Sequence, residues 1–132
     1  MSIPQDRLYT SEHEWIRGTG DTGGLEAGGE AAVGITDHAQ DALGDVVFVE
    51  LPKVGATLRQ GESFGVVESV KSVSDLYSPA DGVVSAVNDT LIETPELLNQ
   101  DPYGQGWIIR LTLATLPPDL LDASSYRRVV DA

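Results

Sequence analysis

The chain predicts a mainly β fold with short helices at its periphery. Six short runs of β-branched and aromatic residues, separated by glycine, proline, asparagine and aspartate, have the spacing of sandwich or barrel strands. Three further segments carry helix boundary signals of their own. A length of 132 residues is that of one ordinary domain, which buries about two-thirds of its unfolded surface.

The first strand candidate is WIR (15–17), and AAVGI (31–35) is the second. Between them, residues 18–30 (GTGDTGGLEAGGE) are so rich in glycine and so poor in apolar side chains that they read as a long, mobile hairpin loop. TDHAQDALG follows as a helix. Thr36 is its N-cap, Asp37 suits the dipole, Ala39, Ala42 and Leu43 are its apolar positions, and Gly44 is a left-handed stop.

VVFVEL (46–51), FGVVESV (64–70) and GVVSAV (82–87) continue the strand series. TPELLNQDP then places Thr94 at a cap and Pro95 at the first helical position, and the helix stops before Pro102. GWIIRLTL (106–113) is the last strand candidate. Residues 117–132 read as a C-terminal helical segment that starts with proline and sets Arg127 and Arg128 near its end.

Composition excludes several functions. Eight basic against 21 acidic residues give a formal charge of −13, which repels nucleic acid and anionic membrane surfaces and attracts partners with basic patches. With no cysteine there is no disulfide, zinc–thiolate site, iron–sulfur cluster or thiol nucleophile. His13 and His38 lack ligand-like spacing, so no metal site is expected. Neither a nucleophile elbow nor a phosphate-binding or dinucleotide fingerprint occurs. The N-terminus shows neither a secretory signal nor an organelle leader, and no segment approaches the length of a membrane span, so a bacterial cytoplasm is the expectation. The sequence is silent on oligomeric state, and a monomer is the default.

Lys71, in VVESVKSVSD (66–75), is the candidate for chemistry. Only Lys53 and Lys71 are lysines; the other six basic residues are arginines. A primary amine on a flexible stem can be acylated, whereas a guanidinium cannot under ordinary conditions. The residues alone leave a second reading open, in which Lys71 is a charge that keeps an edge strand from aggregating. SVKSV holds no glycine, asparagine or proline that would mark a hairpin tip.

YTSEHEWIR, VGITDHAQDALGDVVFVELPKVG, GESFGVVESVKSVSDLYSPADGVV and PELLNQDPYGQGWIIRL occur in this order and cover nearly all the chain outside the glycine-rich loop. In these segments the chain resembles the H-protein family of the glycine cleavage system. The resemblance implies a single lipoyl-carrier domain over residues 1–132, a barrel-sandwich hybrid of the lipoyl/biotinyl type. It places Lys71 at an exposed hairpin tip as the attachment point of lipoic acid, held in amide linkage. Gly55, sixteen before Lys71, and Gly82, eleven after it, match the glycines that flank such hairpins. Val70-Lys71-Ser72 differs from the tips of 2-oxoacid dehydrogenase lipoyl domains and of biotin carriers.

The same resemblance implies a carrier and not an enzyme. In glycine catabolism it would shuttle the aminomethyl group of glycine from the pyridoxal-phosphate P protein to the T protein of one-carbon metabolism, and reducing equivalents to the flavin-containing L protein. Lipoate-attaching enzymes are further partners. Glu14, His38 and Asp75 match family positions at a cleft where the loaded arm docks, where a carboxylate would hold a cationic amine. Glu12 stands where many relatives have serine. A same-fold carrier that donates lipoate or serves another pathway, and an unmodified β-rich interaction module, are the alternative readings.

Overall fold

A computed structural model describes residues 1–132. In chain order the elements are β1 (Leu8–Tyr9), β2 (Glu14–Gly18), β3 (Glu30–Ile35), α1 (Asp37–Leu43), β4 (Val46–Glu50), β5 (Thr57–Leu58) and β6 (Ser63–Ser69). They continue with β7 (Val73–Tyr77), β8 (Gly82–Val87), α2 (Thr90–Glu93), α3 (Leu97–Gln100), β9 (Ile109–Leu113) and α4 (Ala123–Asp131). The protein is mainly β with peripheral helices, and no helix is long and apolar enough to cross a membrane.

Two antiparallel sheets enclose the core, one of six strands in the order β1-β2-β3-β9-β8-β5 and one of three in the order β4-β6-β7. Ile16, Val33, Val84 and Leu111 of the larger sheet meet Val49 and Val67 of the smaller one, all buried. Each of the six runs of β-branched and aromatic residues contributes a strand, because period-2 alternation turns one face inward. A second cluster lies against the larger sheet and α4. Tyr9 and Tyr126 stack there at 4.7 Å, and buried Trp15 donates its indole N–H to the Pro102 carbonyl at 2.9 Å.

Three strands lie outside the six runs. β1 and β5 hold two residues each, too few for a pattern. In β7, Val73, Ser74 and Asp75 are exposed and only Leu76 is buried, so no apolar alternation marks it. Its pairing with β6, from Ser63↔Tyr77 to Glu68↔Val73, is what makes it a strand.

The glycine-rich segment does join two paired strands, with Gly18 opposite Ala31. It is nonetheless tied down along its length. Gly18 N–H donates to the Gly23 carbonyl at 2.9 Å, Gly28 N–H to Leu113 at 2.7 Å, and Leu25 packs on the core. Small residues permit this close approach, since a Cβ on Gly18 would lie 1.9 Å from the Gly24 carbonyl oxygen.

Helix α1 forms as its caps dictate, with the Thr36 hydroxyl accepting from Ala39 N–H at 3.2 Å. Gly44 ends it at φ 78° and ψ −159°, a positive-φ conformation outside the left-handed helical region and essentially restricted to glycine. Thr94 does not cap α3. It closes α2, with its N–H on the Thr90 carbonyl at 2.8 Å, and α3 begins at Leu97 after a tight turn through Pro95. The C-terminal helix begins at Ala123, not at the prolines. Pro117-Pro118 favours extended backbone, and Leu121 then pairs with Tyr9 through two 2.8 Å backbone hydrogen bonds. Asp122 caps α4, its carboxylate accepting from Ser125 N–H at 2.8 Å.

Candidate functional site

The β6–β7 hairpin turns at Val70-Lys71, and neither residue has a positive φ. A serine supplies what turn glycine or asparagine would. Ser69 N–H donates to the Ser72 carbonyl at 2.8 Å, and Ser72 N–H returns to the Ser69 hydroxyl at 3.1 Å. Val70 N–H reaches the Asp45 carbonyl at 3.1 Å, which ties the tip to the start of β4. Lys71 therefore projects from a rigid turn. It is exposed and joins no ion pair. Gly55, at φ 93°, donates to the Val84 carbonyl at 2.8 Å, and Gly82 opens β8 so close to β9 that a Cβ on it would lie 2.5 Å from the Thr112 carbonyl oxygen.

The Lys71 stem passes over the end of α1, where a Cβ on Gly44 would stand 3.4 Å from Cε. Apolar side chains surround this tip. Val70 and Val73 are 76% and 68% exposed, and Val47 and Phe48 of β4 are about half exposed. These four exposed apolar side chains gather around one turn.

A groove of about 320 Å³ opens beside the hairpin. Ala39, Ala42 and Leu43 of α1 form one wall, Ser72 to Leu76 the other, and residues 12–14 close its far end. Short side chains at Ala39 and Ala42 leave the volume free. A second depression, of about 440 Å³ between Leu25, Leu116 and Leu120, holds none of the candidate residues.

Glu14 and Asp75 both line the groove. Glu14 is 3% exposed, and burial pushes its carboxyl up to about 7 even though Thr10 hydroxyl, at 2.7 Å, and Tyr77 N–H, at 3.3 Å, favour the carboxylate. Asp75 is exposed on β7 and accepts from the Ser63 hydroxyl at 3.4 Å. His38 is not on the groove wall. Its ring lies 4.5 Å from that of His13, and His13 is the histidine that faces the groove.

His13 has φ 70°, the only positive φ outside glycine. Its Nδ1 lies 2.7 Å from the Tyr126 hydroxyl, which is also 2.7 Å from the Thr36 hydroxyl. Burial first, then the neighbouring His38, lower the His13 pKa. Burial also pushes the Tyr126 phenol up to about 12, so it stays a neutral donor. Because Thr36 accepts from Ala39 N–H, one consistent proton order runs from the Thr36 hydroxyl to Tyr126 and from Tyr126 to Nδ1 of a neutral His13. From the sequence His13 stands out only as a rejected metal ligand, and Tyr126 does not stand out at all. Nothing local marks a contact that spans 113 residues. No three metal-ligating side chains come together anywhere in the chain.

Comparison with known proteins places this arrangement. A family model described as "Glycine cleavage H-protein" matches residues 7–132. The "Glycine cleavage system H protein" of Rubrobacter xylanophilus is 56% identical over 126 residues, covering 96% of this chain and 93% of the relative. That of Thermus thermophilus is 52% identical over 134 residues, covering 100% and 98%. Among solved structures, a crystal structure of a glycine cleavage system H protein from Mycobacterium marinum superposes with a TM-score of 0.88 at 45% identity, covering 98% of this chain and 100% of that one.

Proposed function

Given that the chain belongs to the glycine cleavage H-protein family and is a lipoyl carrier of that system, we propose that Lys71 is its attachment residue and that the α1–β7 groove shelters the loaded arm. The observation that carries this reading is the adjacency of an unpaired, exposed amine to a groove that starts at the next residue and ends on a buried carboxyl. The residues fit the group: an acylating enzyme reaches Nζ unhindered, and about 320 Å³ lies within the range of small-ligand sites.

When attached, a lipoyl group supplies the redox and group-carrying chemistry of glycine cleavage through its disulfide. This chain contributes placement. The Ser69–Ser72 turn holds the base of the arm, the alanine wall of α1 leaves room for its apolar length, and the groove keeps water from it. The cargo, an aminomethyl group, is cationic when protonated. Glu14 at the groove's end, whose carboxyl is raised to about 7, and Asp75 at the wall would hold such a cation. A cation there draws Glu14 to its charged form and gains a charge-assisted hydrogen bond. His13, with the His38 ring tilted against it at 4.5 Å and Tyr126 on Nδ1, keeps a neutral imidazole at the same end.

The partners on this reading are the P, T and L proteins and a lipoate-attaching enzyme, which approach the valine-ringed tip around Lys71. Intact-mass and peptide mapping of protein from its native host tests the assignment. A lipoyl adduct on Lys71, absent in Lys71→Arg, together with glycine-dependent reduction of the arm, is the expected result. An unmodified Lys71 in cells with working lipoate metabolism would return it to an edge-strand charge.

A further inference from the structure

On the outward face of the six-stranded sheet lies a third depression, of about 300 Å³, unlike the rest of this acidic surface. Three of the chain's six arginines, Arg7, Arg17 and Arg110, line it together with Trp15, Tyr103 and Trp107. The strand register builds it. Arg17 of β2 pairs with Ala32 of β3, and Ala32 with Arg110 of β9, so two guanidinium stems flank a methyl and leave a hollow between them.

The three arginines are not equivalent. Arg7 stacks over Trp15 and Tyr103, at 4.6 and 5.2 Å, and is satisfied by Asp6 and the Tyr103 carbonyl, each at 2.9 Å. Arg17 shares Asp6 at 3.2 Å and gives one further N–H to the Gly18 carbonyl. Arg110 lies over Trp107 at 4.5 Å, joins no ion pair, and has a buried Nε with no hydrogen-bond partner. A guanidinium held over an indole, with its donors unspent, is a preformed site for an anionic acceptor. Asp6 between Arg7 and Arg17 already shows the ligand chemistry the pocket takes. Glu30, bonded to Thr19 and Ser85, is the other acid near the rim.

The geometry points to a carboxylate-binding pocket, with Arg110 as its unspent fork, that receives an acidic side chain of a partner enzyme. One free fork matches one planar monoanion. A partner's carboxylate is favoured over a free anion because the chain's charge of −13 repels the latter, while partners with basic rims are drawn in regardless. Against such partners a single basic, aromatic-walled spot fixes the orientation of docking, and tryptophan, tyrosine and arginine are the residues that dominate binding at such spots. This assignment of the partner rests on the carrier reading above; the pocket itself does not.

The test has two arms. Protein labelled with nitrogen-15 is titrated with glutarate and, separately, with inorganic phosphate, and the Arg110 Nε–H and Trp107 indole N–H resonances are followed. Saturable shifts with glutarate, lost in Arg110→Lys while the remaining spectrum is kept, are expected. Their absence, or tighter binding of phosphate, overturns the carboxylate pocket whatever the fate of Lys71. In the second arm, lipoylated wild type, Arg110→Lys and Arg110→Ala are compared as substrates of the P, T and L proteins. A rise in KM of about tenfold for at least one of them at low salt, with kcat unchanged, is the size expected for a lost bidentate contact. Unchanged KM toward all three, with glutarate still bound, overturns the partner as the source and assigns the site to a free carboxylate.

Discussion

The Tyr126 hydroxyl stands 2.7 Å from Nδ1 of His13 and so ties the C-terminal helix to the end of the groove beside Lys71. Helix α4 lies far from Lys71 in sequence, yet it holds the one non-glycine residue with positive φ in place. Tyr126→Phe removes hydrogen bonds to both His13 and Thr36 and keeps the stacking with Tyr9. It is expected to cost about 1–3 kcal/mol in denaturant unfolding, with the m-value unchanged. His13 loses the partner that orients its ring, and the imidazole titration followed by NMR should shift.

Glu14 predicts a specific pH dependence. Its carboxyl titrates at about 7 in the folded chain against an ordinary value of 4.5, so the native state holds a proton that the unfolded state releases. The stabilisation is fully present below 4.5 and is lost as pH rises through 7. Relative to Glu14→Gln, wild type should therefore lose about 3 kcal/mol between pH 4 and pH 8.5. Paired denaturant curves across that range check it, and a constant difference would show that Glu14 is not held protonated.

Gly44→Ala probes the junction of α1 with Lys71. A φ of 78° with ψ near −159° is strained for alanine, and the added Cβ would touch the lysine stem at 3.4 Å. A loss of about 1–3 kcal/mol is expected. In vitro lipoylation of the folded variant should also slow, measured as modified mass against time, because the amine has one resting position fewer.

Filling the groove separates attachment from shelter. Ala42 is exposed on the groove wall of α1, so Ala42→Phe should leave stability within about 0.5 kcal/mol and leave Lys71 open to modification. The loaded arm, excluded from the groove, is then expected to lose its cargo to water faster. Ammonia release from loaded carrier without T protein measures this, and an unchanged rate would mean that the arm does not dock there.

Much of the outline is legible in the residues themselves. Thr36 and Gly44 bound α1 through hydrogen bonds and a backbone angle that involve residues only a few places away, and six apolar runs suffice for six strands. The chemistry of Lys71 was legible as an amine rare in this chain, while its place at a tip came from resemblance to a family. Signals failed where distant segments compete. Thr94 looks like a cap but is taken up by the preceding α2, and the Pro117-Pro118 pair looks like a helix start but feeds an extended segment that pairs with Tyr9.

Sequence alone determined the acidic charge, the absence of thiol chemistry, the alternating strands and the α1 caps, because each depends on composition or on neighbours along the chain. Tertiary structure decided that β7 is a strand, that His13 rather than His38 faces the groove, and that Arg17, Ala32 and Arg110 stand in one row. Those outcomes follow from register between strands remote in sequence, and register is set by the burial of the whole core, which no local stretch encodes.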